Sequence, residues 1–116
     1  MKSGKLKIRR VQMTDASIVR QLCEQLGYPD GLSAVEKRIK KLATRKDHIV
    51  LVAENENRTV VGLIHAFIRP LLVVESIVEI GALVVDHRFR RQGIGRALMQ
   101  AAGEWARQKG GKLMTV

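Results

Sequence analysis

A chain of 116 residues suits one domain and is too short for two, and with 46% hydrophobic but only 3% aromatic residues its core must be aliphatic. No apolar run reaches the roughly 18–20 residues of a membrane helix, "MKSGKLKIRR" has no apolar stretch behind it to make a secretory signal, and the lone Cys23 excludes an internal disulfide and cannot anchor a metal alone, which reads as a cytoplasmic protein. The net charge of +10 falls in three blocks, Lys2 to Arg10, Lys37 to Lys46 and Arg88 to Lys112. It favours an anionic partner such as nucleic acid, a phosphorylated cofactor or an acidic surface, although each block also reads as a solvated face.

The elements follow in chain order without linker or repeat. Residues 5–11 alternate charged and apolar side chains around Leu6 and Ile8, as a strand with one buried face does. Thr14 or Asp15 caps a helix running to about Leu26, with Ile18, Val19, Leu22 and Leu26 as its apolar stripe. "GYPDG" breaks the chain, and Ser33 with Glu36 has capping-box spacing for a second helix that turns Val35, Ile39 and Leu42 inward. The period then changes. "HIVLVAE" (48–54) and residues 59–70 are β-branched runs joined by the polar "ENENR", so they predict an antiparallel hairpin. Residues 76–86, the most apolar run, predict a central strand buried on both faces, with Gly81 marking a bulge or a close backbone approach. A helix from about Gly93 to Lys109 carries Ile94, Leu98, Ala101, Ala102 and Trp105 on one side, and "KLMTV" begins a last strand. The order is β-α-α-β-β-β-α-β.

"RRQGIGRAL" (90–98) sets two glycines among arginines at the mouth of the last helix. Glycine costs about 1 kcal/mol against alanine inside a helix, so the pair serves a turn or a close approach to the backbone. A first helical turn has unpaired N–H donors and the positive end of the macrodipole, where phosphates bind. Arg88, Arg90, Arg91 and Arg96 add positive field, which makes this junction a diphosphate site, although glycines also serve capping and packing. A P-loop needs GxxxxGK[ST] and a dinucleotide fold needs GxGxxG after its first strand; neither is present here.

"ALVVDHRFRRQGIGRALMQAAGEWARQKG" resembles motif A of the GNAT superfamily of N-acetyltransferases, whose signature [RQ]-x-x-G-x-[GA] is filled by Arg90, Gly93 and Gly95. "RRVQMTDASIVRQLCEQLGY", "VVGLI" and "EIGALVVD" resemble the same superfamily in the same order, so the likeness covers essentially the whole chain. It implies an α+β fold, a mixed and mostly antiparallel sheet flanked by helices, forming one domain over 1–116. It further implies that residues 90–96 (Arg90, Arg91, Gln92, Gly93, Ile94, Gly95 and Arg96) bind acetyl-CoA, the loop amides of 91–96 holding its pyrophosphate. The strand Leu83, Val84 and Val85 pairs with the pantetheine arm, and no metal takes part. The reaction is acetyl transfer to a primary amine of a small molecule or peptide.

A backbone N–H near Val84 or Val85, freed by a bulge, suits an oxyanion donor. Glu79 is the expected catalytic base: it lies six residues before Val85 in an apolar strand, where desolvation raises a carboxyl pKa. It reads equally as a groove residue that steers a cationic amine. His65 reads as a packed or surface histidine, His87 as lining the phosphate loop, Glu75 as substrate charge, and Cys23 as helix packing. The family fold continues past the last strand with a helix and two strands, where a tyrosine often protonates the thiolate. The only tyrosine here is Tyr28, in the loop after the first helix, so the domain is expected to be C-terminally incomplete. An exposed final edge at 112–116, with Leu113, Met114 and Val116 uncovered, predicts a homodimer. Two other readings stand beside the enzyme. One is a non-catalytic acyl-CoA-binding domain. The other is a basic nucleic-acid-binding module, against which the scarcity of aromatics for stacking and the lack of a reading helix argue.

Overall fold

The computed structural model describes residues 5–114, with the Met114 side chain outside the description. The chain forms β1 (Lys7–Arg10), a 3-10 turn at Met13–Asp15, α1 (Ala16–Leu26), α2 (Leu32–Ala43), β2 (His48–Glu54), β3 (Val60–Arg69), β4 (Ile77–Val85), α3 (Ile94–Gln108) and β5 (Lys112–Met114). This is the order read from the sequence. The five strands make one sheet in the order β1-β2-β3-β4-β5, antiparallel throughout except for the parallel β4–β5 pair.

Each face of the sheet is covered because side chains alternate along a strand. On one face Ile49, Leu51, Ala53, Ile64, Ala66 and Val78 meet Ile94, Leu98, Ala102 and Trp105 of α3. On the other, Val52, Val60, Leu63 and Val84 meet Ala16, Val19 and Leu22 of α1 and Val35 and Ile39 of α2. At about 25 cal/mol per Å² of apolar surface buried, these aliphatic layers are the main stabilising term.

Several local expectations are corrected. β3 is the middle strand and the more fully buried, whereas β4 keeps only Val78 and Val84 buried, since β5 pairs with it along just three residues. Ser33 is not a cap: Gly31 holds the N-cap position of α2, and its N–H is taken by Asp30 Oδ1 at 2.8 Å. Asp15 stands at the N-cap of α1, yet its carboxylate turns back to the Gln12 N–H (2.7 Å) and receives both Nη atoms of Arg9 (2.8 and 3.0 Å). Leu26 is 38% exposed and does not belong to the buried stripe. Leu113 is half-buried and packs against the α3 core, so it is not uncovered; Met114's side chain, Thr115 and Val116 lie outside the described residues. The longest exposed apolar run among the described residues is instead the β3–β4 loop, Leu71 to Val74.

Candidate acetyl donor and acceptor site

Among the described residues β4 pairs with β5 over Ile77–Glu79, and Leu83–Val85 have a single neighbour, β3. The Asp86 N–H donates to the Val61 carbonyl (2.8 Å), and Val84 lies opposite Leu63. By the two-residue alternation of an antiparallel ladder, the N–H and C=O of Leu83 and Val85 therefore point away from β3. The Val85 carbonyl is met on that side by Arg90 Nε at 3.3 Å. Of the two amides expected to act on a carbonyl, only that of Val85 is turned outward. Val85 faces outward by its place in the β3–β4 ladder and not through a bulge, because the bulge lies at Gly81, where the register passes from His65↔Ala82 to Ala66↔Ile80.

The loop after β4 is held from beneath. Asp86 is 1% exposed, accepts the Arg88 N–H (3.0 Å) and is bridged by Arg88 Nη2 (2.9 Å). The Arg88 guanidinium outweighs burial and holds the Asp86 carboxyl down at about 2. Gln25 of α1 accepts the His87 N–H at 3.0 Å and ties the two segments together. Such a depressed carboxyl stabilises the fold fully above the ordinary carboxylate range and loses that contribution as pH falls through 4 towards 2. We expect Asp86→Asn to cost at most about 2 kcal/mol near neutrality, less whatever water screens at the exposed Arg88 end. Urea unfolding at pH 7 and pH 3 checks this, since the deficit must shrink at the lower pH.

Beyond the loop, Gly93 forms the N-cap of α3 at φ 79°, a left-handed backbone that glycine adopts freely. Nothing lies within 4 Å of a Cβ built there, so conformation and not crowding requires glycine. Ala97 N–H closes the first helical bond onto the Gly93 carbonyl (3.0 Å), which leaves the amides of Ile94, Gly95 and Arg96 without helical acceptors.

These amides and the free edge of β4 border one cleft of about 410 Å³, lined by Leu83, Val84, Val85, Arg90, Arg91, Gly93, Ile94 and Gly95. Eight of the ten expected cofactor residues thus come together. The side chains of Gln92 and Arg96 do not line it: Gln92 borders a separate hollow with Leu6 and Phe89, and Arg96 is exposed on the first turn of α3. Gln25 and Leu26 complete the wall. They arrive from the end of α1, about 60 residues away in sequence, and the one available signal was a leucine stranded beside the "GY" break.

On the face of the sheet shared with α1 and α2, a second group gathers around the bulge. Glu79 is cross-strand to Phe67, and its Oε1 receives Arg69 Nη1 at 2.9 Å. Its side chain is 31% exposed and ion-paired, so the desolvation expected of an apolar strand is not what this carboxylate meets. His65, half-buried and not merely packed, stacks with His48 (centroids 5.2 Å apart) and lies 5.7 Å from Phe67. Burial, and then the charge of His48, push the His65 pKa down. His87 is 65% exposed beside Asp86 and lies outside the cleft lining, Glu75 sits in the exposed loop, and Cys23 is half-buried with its thiol pushed up by burial. Among the described residues no three His, Cys, Asp or Glu side chains are placed to hold a metal.

Solved structures share this architecture. A GNAT family acetyltransferase of Staphylococcus aureus superposes with a TM-score of 0.79 at 24% identity, covering 99% of this chain and 88% of its own. Glucosamine-6-phosphate N-acetyltransferase of Arabidopsis thaliana reaches 0.83 at 20% identity, covering 97% and 83%. An aminoglycoside N-acetyltransferase solved in complex with CoA also reaches 0.83 at 20% identity, covering 99% and 80%. No curated protein matches in sequence. The model of the acetyltransferase (GNAT) family matches residues 16–116, from the first residue of α1 through α3 to the final strand, and the chain belongs to that family.

Proposed function

We propose that this chain transfers the acetyl group of acetyl-CoA to a primary amine of a small molecule or peptide in the cytoplasm. One observation carries the reading: the open first turn of α3 and the unpaired edge of β4 meet in a single cleft. The amides of residues 91–96, with Arg90 and Arg91 beside them, suit a pyrophosphate. The outward N–H and C=O groups of Leu83 and Val85 suit an amide-bearing arm laid along them as an added strand. Val84, whose backbone belongs to β3, lines the cleft without offering such bonds. Acetyl-CoA supplies the acetyl group as a thioester. The outward N–H of Val85 bonds the arm near its phosphate end, and Glu79, already adapted to a guanidinium at the bulge end of β4, holds the ammonium of the acceptor.

Calorimetry with CoA, followed by thiol release from acetyl-CoA over a panel of amines, tests this. Micromolar CoA binding and thiol release above the blank with at least one amine are expected. Binding with no release under any amine points to the non-catalytic CoA-binding reading, and no binding at all overturns both. Glu79→Gln should raise the KM for the amine about tenfold, the loss of one charge-assisted contact, while the Kd for CoA stays unchanged.

The outer edge of β5 meets no strand among the described residues, and we propose that a second copy covers it together with the apolar loop Leu71 to Val74. Light scattering at moderate salt should give twice the 13.0 kDa chain mass; one chain mass at every concentration refutes it.

A further inference from the structure

Three observations converge at the bulge of β4. A Cβ on Gly81 would stand 2.8 Å from His65 Nδ1, so the imidazole lies directly on the backbone of the bulged residue. Its other nitrogen, Nε2, is 2.9 Å from His48 Nδ1. On the far side of that second ring, His48 Nε2 is 4.0 Å from Asp47 Oδ1.

One assignment of the tautomers fits this chain of contacts. Two neutral imidazoles joined nitrogen to nitrogen need one donor and one acceptor. The Asp47 carboxylate, held ionised at about 2 by Arg45, favours a proton on His48 Nε2. His48 Nδ1 is then the acceptor, His65 Nε2 is the donor, and His65 Nδ1 keeps a lone pair. Of the two ring nitrogens of His65, Nε2 is the one engaged with a side chain, that of His48. Of the other charged groups near the pair, Arg45 is matched with Asp47 and Arg69 with Glu79, while Arg10 of β1 borders the small cavity beside His48.

The position suits the reading above, on which this inference rests. Among the described residues the free edge of β4 runs back from Val85 through Leu83 to Gly81, four residue steps or about 13 Å of strand. An arm laid along that edge from the α3 terminus ends near the bulge, and His65 looks onto the bulge from the face opposite α3. We propose that His65 takes the proton of the acceptor ammonium, with His48 and Asp47 as positioning residues. The ammonium gives one proton to His65 Nδ1. The neutral nitrogen forms its bond to the acetyl carbon as the C–S bond breaks, and a second nitrogen proton ends on the thiolate, so one proton passes through His65 to solvent per turnover.

Imidazole NMR titration of the full chain without CoA reads the pair directly, because its three histidines are assignable by single Gln substitutions. His65 should titrate below the ordinary imidazole range, and His48→Gln should move its midpoint. An ordinary imidazole titration of His65 that ignores His48→Gln overturns the proposal, whatever CoA does. With the amine that releases thiol fastest, His65→Gln should lower kcat at least 100-fold and remove the ascending limb of its pH profile while leaving CoA affinity intact. A limb that survives His65→Gln overturns the base role. CoA binding without turnover under any amine removes the transfer reading and the base with it, even if the titrations stay coupled.

Discussion

Arg9→Ala should destabilise the fold by about 3–5 kcal/mol, the largest loss expected from any single exposed-edge substitution in the protein. Arg9 sits on the edge strand β1, yet its guanidinium points inward, giving both Nη atoms to Asp15 and Nε to Glu54 at 2.8 Å. Asp15 is 6% exposed beneath it, and its carboxyl is held below the ordinary range chiefly by that guanidinium, against the opposing push of burial. Removing Arg9 strands a buried carboxylate at the start of α1 and leaves Glu54 without its partner. With a urea slope of roughly 1–3 kcal/mol/M, the unfolding midpoint falls by about 2 M. The pH dependence has a definite sign. Asp15's contribution in the parent is present above the ordinary carboxylate range and lost as pH falls, so the deficit of Arg9→Ala narrows below about pH 4. Adding Asp15→Asn to Arg9→Ala should recover part of the loss by removing the stranded charge. A deficit under 1 kcal/mol at pH 7 would show that water reaches Asp15 and satisfies it.

That pair also shows where a sequence is legible and where it is not. The strand 48–54 and the last helix were readable because β-branched runs and a 3.6-residue apolar stripe are local signals, and the GxG among arginines marks its site within six residues. Ser33 misled because a capping box depends on backbone angles that Asp30 and Gly31 had already taken. The ion pair of Glu79 was not legible because its partner, Arg69, is set by the β3–β4 register, and register is not written in either strand alone. The same holds for His48 and His65. They share a face only because Val50 lies opposite His65, and a slip of one residue would put them on opposite faces of the sheet. Gln25 and Leu26 reach the cleft through the packing of α1 on β4, a long-range contact with no local trace.

The two glycines of the motif should separate by experiment, because they are glycine for different reasons. Gly93 has open space where a side chain would go but a left-handed backbone, so Gly93→Val costs about 1–3 kcal/mol in strain and twists the amides of the first turn. Gly95 lies within the helix, and a Cβ there meets only Val85 Cγ2, at an ordinary 3.7 Å. Gly95→Leu is therefore tolerated by the fold, and relief of glycine's helix penalty raises stability by about 0.5 kcal/mol or more. Its side chain, however, enters the cleft beside the edge of β4 and excludes a ligand from the backbone. Both variants should weaken CoA binding at least tenfold, about 1.4 kcal/mol, with Gly93→Val lowering the thermal midpoint and Gly95→Leu raising it. Opposite shifts in stability with a shared loss of affinity show that the cleft needs both the conformation at 93 and the bare backbone at 95. Unchanged CoA affinity in Gly95→Leu would mean that the ligand does not approach α3 from this side.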